Sequence, residues 1–191
     1  MFWPGLNPSA PWTLVEAGPA WADRYGLRVL AVSPPGWETP PLPAERYRPR
    51  ALGRLVCSQL DGLKLGRVAY VGASWGASIG CHLAATAPER LSGLVLLDAG
   101  YLDSQDLPAS RNAVSKSSMR SSARTRSDSN PVLLLAASET VGEAYGHAAL
   151  ERFRDRLPSA AVEIIDSGHG LLADAPEETI GLVGRWVRAS R

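Results

Sequence analysis

The sequence predicts an α/β protein, with a mostly parallel sheet of about five to six strands and helices on both faces. Three observations support this fold class: short apolar runs, helical patterns between them, and a Gly, Ser, Asp or Pro where each run ends. Runs rich in Val, Leu and Ile without polar alternation are typical of strands buried on both faces. The predicted strands cover residues 27–33, 67–74, 91–100, 131–138 and 161–168.

Helical patterns alternate with these runs, which predicts βαβ units. Pro49 must interrupt or begin the first helix, because proline has no main-chain N–H to donate. Pro176, followed by two glutamates, suits the first turn of the last helix. The predicted helices cover residues 44–63, 76–88, 143–157 and 175–189.

The 191 residues are the size of one domain, so we expect a single domain over residues 1–191. Residues 104–130 are dominated by Ser and Arg and have almost no apolar periodicity, which predicts a flexible loop. Because this segment lies between two predicted strands, it is an insertion within the domain. It lacks interleaved aromatic residues, which argues against RNA binding.

The composition excludes several classes of function. A formal net charge of +1 gives no reason to expect nucleic acid or an anionic membrane as a partner. Cys57 and Cys81 lack the spacing of a zinc site, so no metal is expected and two buried free thiols are favoured over a disulfide. The first residues lack a signal-peptide pattern and no segment is long enough to span a membrane, which predicts a cytoplasmic location.

Two overlapping Gly-x-Ser-x-Gly frames occur in the stretch YVGASWGASIG at residues 70–80. In the first frame, Ser74 directly follows a predicted strand and precedes a predicted helix, which is the context of a nucleophile elbow. Gly72 and Gly76 would let the strand and the helix approach closely. Ser78 lies one helical turn later, so we interpret the second frame as incidental. Ser74 is therefore the candidate nucleophile.

A serine nucleophile needs a base to take its proton and a carboxylate to orient that base. The chain has three histidines. His82 lies two turns into the helix after Ser74, where packing is its expected role, and His147 is expected on a helix surface. His169 lies in a glycine-flanked loop after the final strand, at the sheet edge where catalytic groups collect. His169 is therefore the candidate base.

Several stretches together resemble the α/β-hydrolase family. They are VGASWGAS at the elbow, APERLSGLVLLDAG after it, PVLLLAASE at the next strand and SGHGLLADAPEE around the histidine. The stretch YGLRVLAVSPPGWETPP also resembles the family's D-x-P-G-x-G loop. The resemblance covers nearly the whole chain except residues 104–130. It implies a catalytic triad in the chain order serine, acid, histidine, with Ser74 and His169 as two of its members.

The resemblance leaves two main candidates for the acid. The family usually places it after the strand at 131–138, where Glu139 stands one position before the usual aspartate and Thr140 occupies that aspartate's position. The family's other place for the acid is the end of the preceding strand, where Asp98 stands. Asp98 could instead be a structural residue that caps the turn, and Asp103 is a third, weaker candidate.

The resemblance also implies an oxyanion hole made of two main-chain N–H donors. One would come from Trp75 and the other from Leu6, which follows Gly5 in an early turn where Pro4 replaces the family's histidine. Together these features imply a serine hydrolase that cleaves carboxylic esters or related acyl compounds through an acyl-enzyme. Its partner would be a small-molecule acyl substrate, and the chemistry needs no metal or organic cofactor.

Two departures from the family pattern affect the expected fold. The chain is expected to begin at or inside the family's third strand, so that the first two strands are lacking. The gap that this leaves in the sheet would be filled by a stub from the first residues, closed by direct pairing of the neighbouring strands, or filled by another copy of the chain. Exposed sheet edges favour a homo-oligomer. The family's cap is reduced to residues 104–130, which would leave the active site open.

Two other functions stay open from the sequence. The expected absence of the family's first two strands, and Pro4 in place of the family's histidine, favour a non-catalytic or truncated hydrolase-like protein that acts by binding or assembly. An NAD(P)-binding Rossmann oxidoreductase is less favoured, because the glycines of residues 72–80 do not form G-x-G-x-x-G and Trp75 would crowd a pyrophosphate.

Overall fold

The structure is a computed structural model that describes residues 1–5, 10–99, 130–141 and 146–190. The predicted donor Leu6 and, apart from Asn130, the predicted insertion at 104–130 lie outside the described residues. The described strands form one parallel sheet in chain order, which confirms the predicted fold class. They are β1 (Phe2–Trp3), β2 (Val68–Ala73), β3 (Leu91–Leu97), β4 (Val132–Ala137) and β5 (Ala161–Ile165).

The predicted strand at 27–33 is wrong, because within the described chain this segment joins the sheet only through one bridge between Ala31 and Phe2. Phe2 N–H donates to the oxygen of Leu30 at 2.8 Å, and Val32 N–H donates to the oxygen of Phe2 at 3.1 Å. Strand β1 is only two residues long, so it is too short to form a longer ladder of hydrogen bonds with this segment. On its other side β1 pairs with β2. The first residues therefore form a stub in the expected gap.

Helices cover both faces of the sheet. The described helices are α1 (Ala10–Tyr25), α2 (Pro49–Gly62), α3 (Trp75–Thr86), α4 (Ser138–Thr140), α5 (Gly146–Arg156), α6 (Leu171–Asp174) and α7 (Pro176–Ala189), with 3₁₀ turns at Ala44–Tyr47 and Pro88–Arg90. The four predicted helices are present as α2, α3, α5 and α7, and Pro49 begins α2. The sequence did not predict α1, which contains Pro19. None of the described helices has the length and apolar character needed to cross a membrane.

Alternation along the strands divides the core into two layers. In β3, Leu94 and Leu96 face the layer that α2, α3 and α5 complete, whereas Val95 and Leu97 face the layer of α1, α6 and α7. All four side chains are at most 2% exposed. Burial on both faces explains why this run shows no polar alternation.

The amino group of Met1 is buried beside β2. It donates to the main-chain oxygen of Ala69 at 2.8 Å. Next to it lies an apolar cavity of about 380 Å³, whose lining includes Phe2, Trp21 and Val29. Burial lowers the pKa of the Met1 amino group from 8.0 to about 5, because an ammonium ion loses its hydration there.

We expect the chain to lose stability as the pH falls from 8 to 5. Between these pH values the Met1 amino group is protonated in the unfolded chain but largely neutral in the folded chain. The free energy of unfolding therefore rises with pH. A pKa difference of about three units corresponds to at most roughly 4 kcal/mol. Urea unfolding at the two pH values measures the effect. Acetylation of Met1 is the control, and an acetylated chain with an equal loss would contradict the assignment.

Candidate active site

Ser74 lies in a sharp turn between β2 and α3. Its φ is 50° and its ψ is −114°, a conformation that a non-glycine residue adopts only at a cost in free energy. A Cβ added at Gly72 would lie 2.6 Å from the main-chain carbon of Gly76, and one added at Gly76 would lie 2.5 Å from the oxygen of Trp3. Only glycine fits at these two positions. Gly72 lets β2 and α3 meet at the turn, and Gly76 lets α3 approach the main chain of β1.

Ser78 and the other two histidines occupy helices. Ser78 lies half-buried inside α3, so no strand precedes it as an elbow requires. The ring of His82, also in α3, lies against α2, where a Cβ added at Gly53 would be 3.2 Å from its Cδ2. The side chain of His147, in α5, lies outside the part of the chain that the structure describes. Ser74 and His169 are thus the pair brought together.

His169 comes from the loop after β5 and lies between Ser74 and Asp98. Its Nε2 is 2.9 Å from Ser74 Oγ, and its Nδ1 is 2.5 Å from Asp98 Oδ2. Because a carboxylate only accepts hydrogen bonds, Nδ1 carries the ring proton and Nε2 is left to accept from the serine hydroxyl. The His169 side chain is 56% exposed, whereas that of Asp98 is 1% exposed. The imidazole is therefore accessible to solvent, and the carboxylate is shielded from water.

Three donors hold the buried carboxylate of Asp98 at the end of β3. Besides His169, the main-chain N–H of Ala137 donates to Oδ1 at 3.2 Å, and the hydroxyl of Thr140 donates to Oδ2 at 2.8 Å. These bonds offset the cost of removing a carboxylate from water. The sequence reasoning missed Ala137 and Thr140 as partners of Asp98. The signal available for Thr140 was its position, where the family pattern has the acid.

Glu139, the other candidate acid, lies elsewhere in the site. It is exposed on α4, and its main-chain N–H donates to the oxygen of Ser167 at 3.3 Å. Its carboxylate lies over the histidine loop, where a Cβ added at Gly168 would be 3.1 Å from Oε2. Both ring nitrogens of His169 already contact Ser74 and Asp98. The geometry therefore favours Asp98 over Glu139 as the partner of the histidine.

The register of the parallel strands brings these residues to one edge of the sheet. Ala73 pairs with Leu97 and Leu97 pairs with Leu135, so that Ser74 and Asp98 follow at neighbouring strand ends. The N–H of Ser74 donates to the oxygen of Leu97 at 2.8 Å, which fixes the start of the turn. The loop after β5 emerges at the same edge, because β5 is parallel to the other strands.

Of the predicted oxyanion donors, the structure describes one. Trp75 is the first residue of α3, and the N–H groups of a helix's first turn have no partner within the helix. Leu6 lies outside the described residues. The residue before it, Gly5, passes close to Ser74, since a Cβ added at Gly5 would lie 3.0 Å from Ser74 Cβ. Strand β1 thus leads the chain directly to Ser74.

The chain belongs to the α/β-hydrolase family. The family profile described as "alpha/beta hydrolase fold" matches residues 7–114, which is more than half of the chain. This agrees with the parallel sheet, the turn at Ser74 and the family named from the sequence motifs.

Among characterised proteins, a poly(3-hydroxyalkanoate) depolymerase from Ectopseudomonas oleovorans is 37% identical over 70 residues, which are 37% of this chain and 25% of that protein. The match thus spans about a quarter of the relative's length. A "predicted CIB-like hydrolase" from Thermoplasma acidophilum superposes with a TM-score of 0.74 at 17% identity, over 98% of this chain and 84% of that one. Naproxen esterase (carboxylesterase NP) from Bacillus subtilis superposes with a TM-score of 0.64 at 15% identity, over 97% and 81%. These two structures share the fold.

Proposed function

We propose that this protein is a serine hydrolase that cleaves carboxylic esters or related acyl compounds through Ser74, His169 and Asp98. The observation that carries the proposal is the unbroken chain of hydrogen bonds from Ser74 Oγ through both nitrogens of His169 to the Asp98 carboxylate. A hydroxyl, an imidazole and a carboxylate in this order activate a serine for attack on an acyl group. The costly backbone conformation of Ser74 is a second support, because such conformations cluster at functional sites.

In the first half of the reaction, His169 Nε2 removes the proton of Ser74 as Oγ attacks the acyl carbon. The main-chain N–H groups of Trp75 and Leu6 stabilise the oxyanion that forms. Asp98 stabilises the imidazolium of His169, which then gives its proton to the leaving alcohol. General base catalysis of this kind contributes about 10²–10⁴-fold to the rate.

In the second half, water hydrolyses the acyl-enzyme. His169 takes a proton from the water as its oxygen attacks the acyl carbon, and Ser74 leaves as the proton returns to Oγ. The exposed edge of the imidazole gives water access to this position. Every group in these steps belongs to the chain or the solvent, so the proposal includes no metal or organic cofactor.

Esters of small acyl groups are the first substrates to test. The sequence match to a poly(3-hydroxyalkanoate) depolymerase supports esters of 3-hydroxy acids as members of the test set, and the shared fold of naproxen esterase supports esters in general. Thioesters, lactones and amides use the same chemistry and complete the set. A cytoplasmic location and a homo-oligomer stay predictions from the sequence.

We expect a fluorophosphonate probe to label the folded protein at Ser74. Peptide mapping locates the label, and hydrolysis of a short-chain p-nitrophenyl ester is followed in the same samples. Ser74→Ala removes both signals because it removes the attacking oxygen. Ser78→Ala is the matched control, since it deletes the same hydroxyl from the other Gly-x-Ser-x-Gly frame.

Labelling at Ser74 that survives Ser78→Ala would support the proposal. Absence of labelling and turnover in a chain with native circular dichroism would contradict it. That result would favour a non-catalytic hydrolase-like protein that acts by binding or assembly.

A further inference from the structure

The hydroxyl of Thr140 makes a hydrogen bond to which the proposed reaction assigns no role. It lies half-buried at the end of α4, directly after β4. Its hydroxyl donates to Oδ2 of Asp98 at 2.8 Å, and this is the same oxygen that His169 Nδ1 contacts. The two donors therefore meet on one carboxylate oxygen at the centre of the site.

We propose that Thr140 is a positioning residue, which holds the Asp98 carboxylate in the orientation that His169 needs. The inference rests on the proposed function, because positioning matters only if the site is catalytic. Thr140 would act through Asp98 and would touch neither the substrate nor the reacting atoms.

The need for such a residue follows from the chemistry of the aspartate side chain. The terminal torsion of an aspartate is broad, so the backbone alone does not fix the plane of its carboxylate. The N–H of Ala137 contacts Oδ1 at 3.2 Å, which is a long bond for this purpose. The hydroxyl of Thr140, which lies just after β4, donates a second hydrogen bond to the carboxylate, at Oδ2. With both oxygens held, Oδ2 is directed at the histidine.

The size of the Thr140 side chain suits this arrangement. Thr140 comes after β4, whereas the carboxylate comes from Asp98, directly after the neighbouring strand β3. Thr140 is short enough to leave room for that carboxylate and keeps a hydroxyl that bonds to it. A residue without a hydroxyl would leave one lone pair of a buried carboxylate without a donor.

We expect Thr140→Val to lower kcat for ester hydrolysis by about 10- to 100-fold, the effect of losing a hydrogen bond to a buried charged group. The KM should stay near that of the parent, because Thr140 does not contact the substrate. Thr140→Ser should retain most of kcat, since it keeps the hydroxyl. Thr86→Val is the matched control, because the Thr86 hydroxyl bonds within α3 to the oxygen of His82.

A double-mutant cycle with Asp98→Asn separates positioning from a role in folding. If Thr140 acts through Asp98, Thr140→Val should have little further effect on kcat once Asp98 is replaced. Equal losses in both backgrounds, or a Thr140→Val protein with the kcat of the parent, would overturn the inference while leaving the proposed function intact. A parent without activity and without labelling of Ser74 would overturn both.

Discussion

Asp98→Asn is expected to lower kcat by about 10⁴-fold, the loss that the same exchange causes in a serine protease triad. An asparagine at this position presents either an amide NH₂ or an uncharged oxygen to His169 Nδ1. It therefore no longer fixes the tautomer in which Nε2 accepts the proton of Ser74, and it no longer stabilises the imidazolium. Turnover of a p-nitrophenyl ester and the rate of fluorophosphonate labelling both measure the loss.

Glu139→Gln is the matched control for this exchange. It makes the same change from a carboxylate to an amide, but in an exposed side chain that does not contact the imidazole nitrogens. We expect kcat to stay within about twofold of the parent, as for most surface substitutions. A large loss from Glu139→Gln with little loss from Asp98→Asn would reverse the assignment of the acid. Thermal unfolding of both variants shows whether a loss of kcat reflects a loss of folding.

The candidate nucleophile and base could be predicted because their signals are local. A tight turn at Ser74 requires glycine at Gly72 and Gly76, and these positions are visible in a five-residue window. His169 is flanked by glycines directly after a predicted strand. The choice of acid between Glu139 and Asp98 had no local signal, because it depends on which carboxylate reaches the imidazole across the sheet edge. The register of β3 against β4 determines which carboxylate lies next to the imidazole, and no short stretch of sequence encodes that register.

The errors in the predicted fold have similar causes. The run at 27–33 has the composition of a buried strand, yet a ladder also requires a partner of matching length, and β1 has only two residues. No helix was predicted at α1, which contains Pro19, a residue that disfavours a helix interior. At 27–33 the short neighbouring strand outweighs the local preference of the residues.

Because Ser74 is the proposed nucleophile, Ser74→Gly and Ser74→Ala are both expected to lower kcat by about 10⁶-fold. Their stabilities should differ, however. The φ of 50° and ψ of −114° at Ser74 correspond to the first central position of a type II′ turn, which glycine adopts freely and alanine does not. Relief of such a conformation is worth about 1–3 kcal/mol, so the glycine variant should have the higher free energy of unfolding. Urea unfolding of the two inactive proteins measures this difference.

The same pair of substitutions at Ser78 should give the opposite order. Ser78 lies inside α3, where glycine is about 1 kcal/mol less favourable than alanine. Ser78→Gly is therefore expected to be less stable than Ser78→Ala, and both should keep the activity of the parent. A Ser74→Gly protein no more stable than Ser74→Ala would contradict a costly turn at the nucleophile. The reversed order at two serines four residues apart would mean that the chain gives up stability at Ser74 in order to expose its hydroxyl to His169.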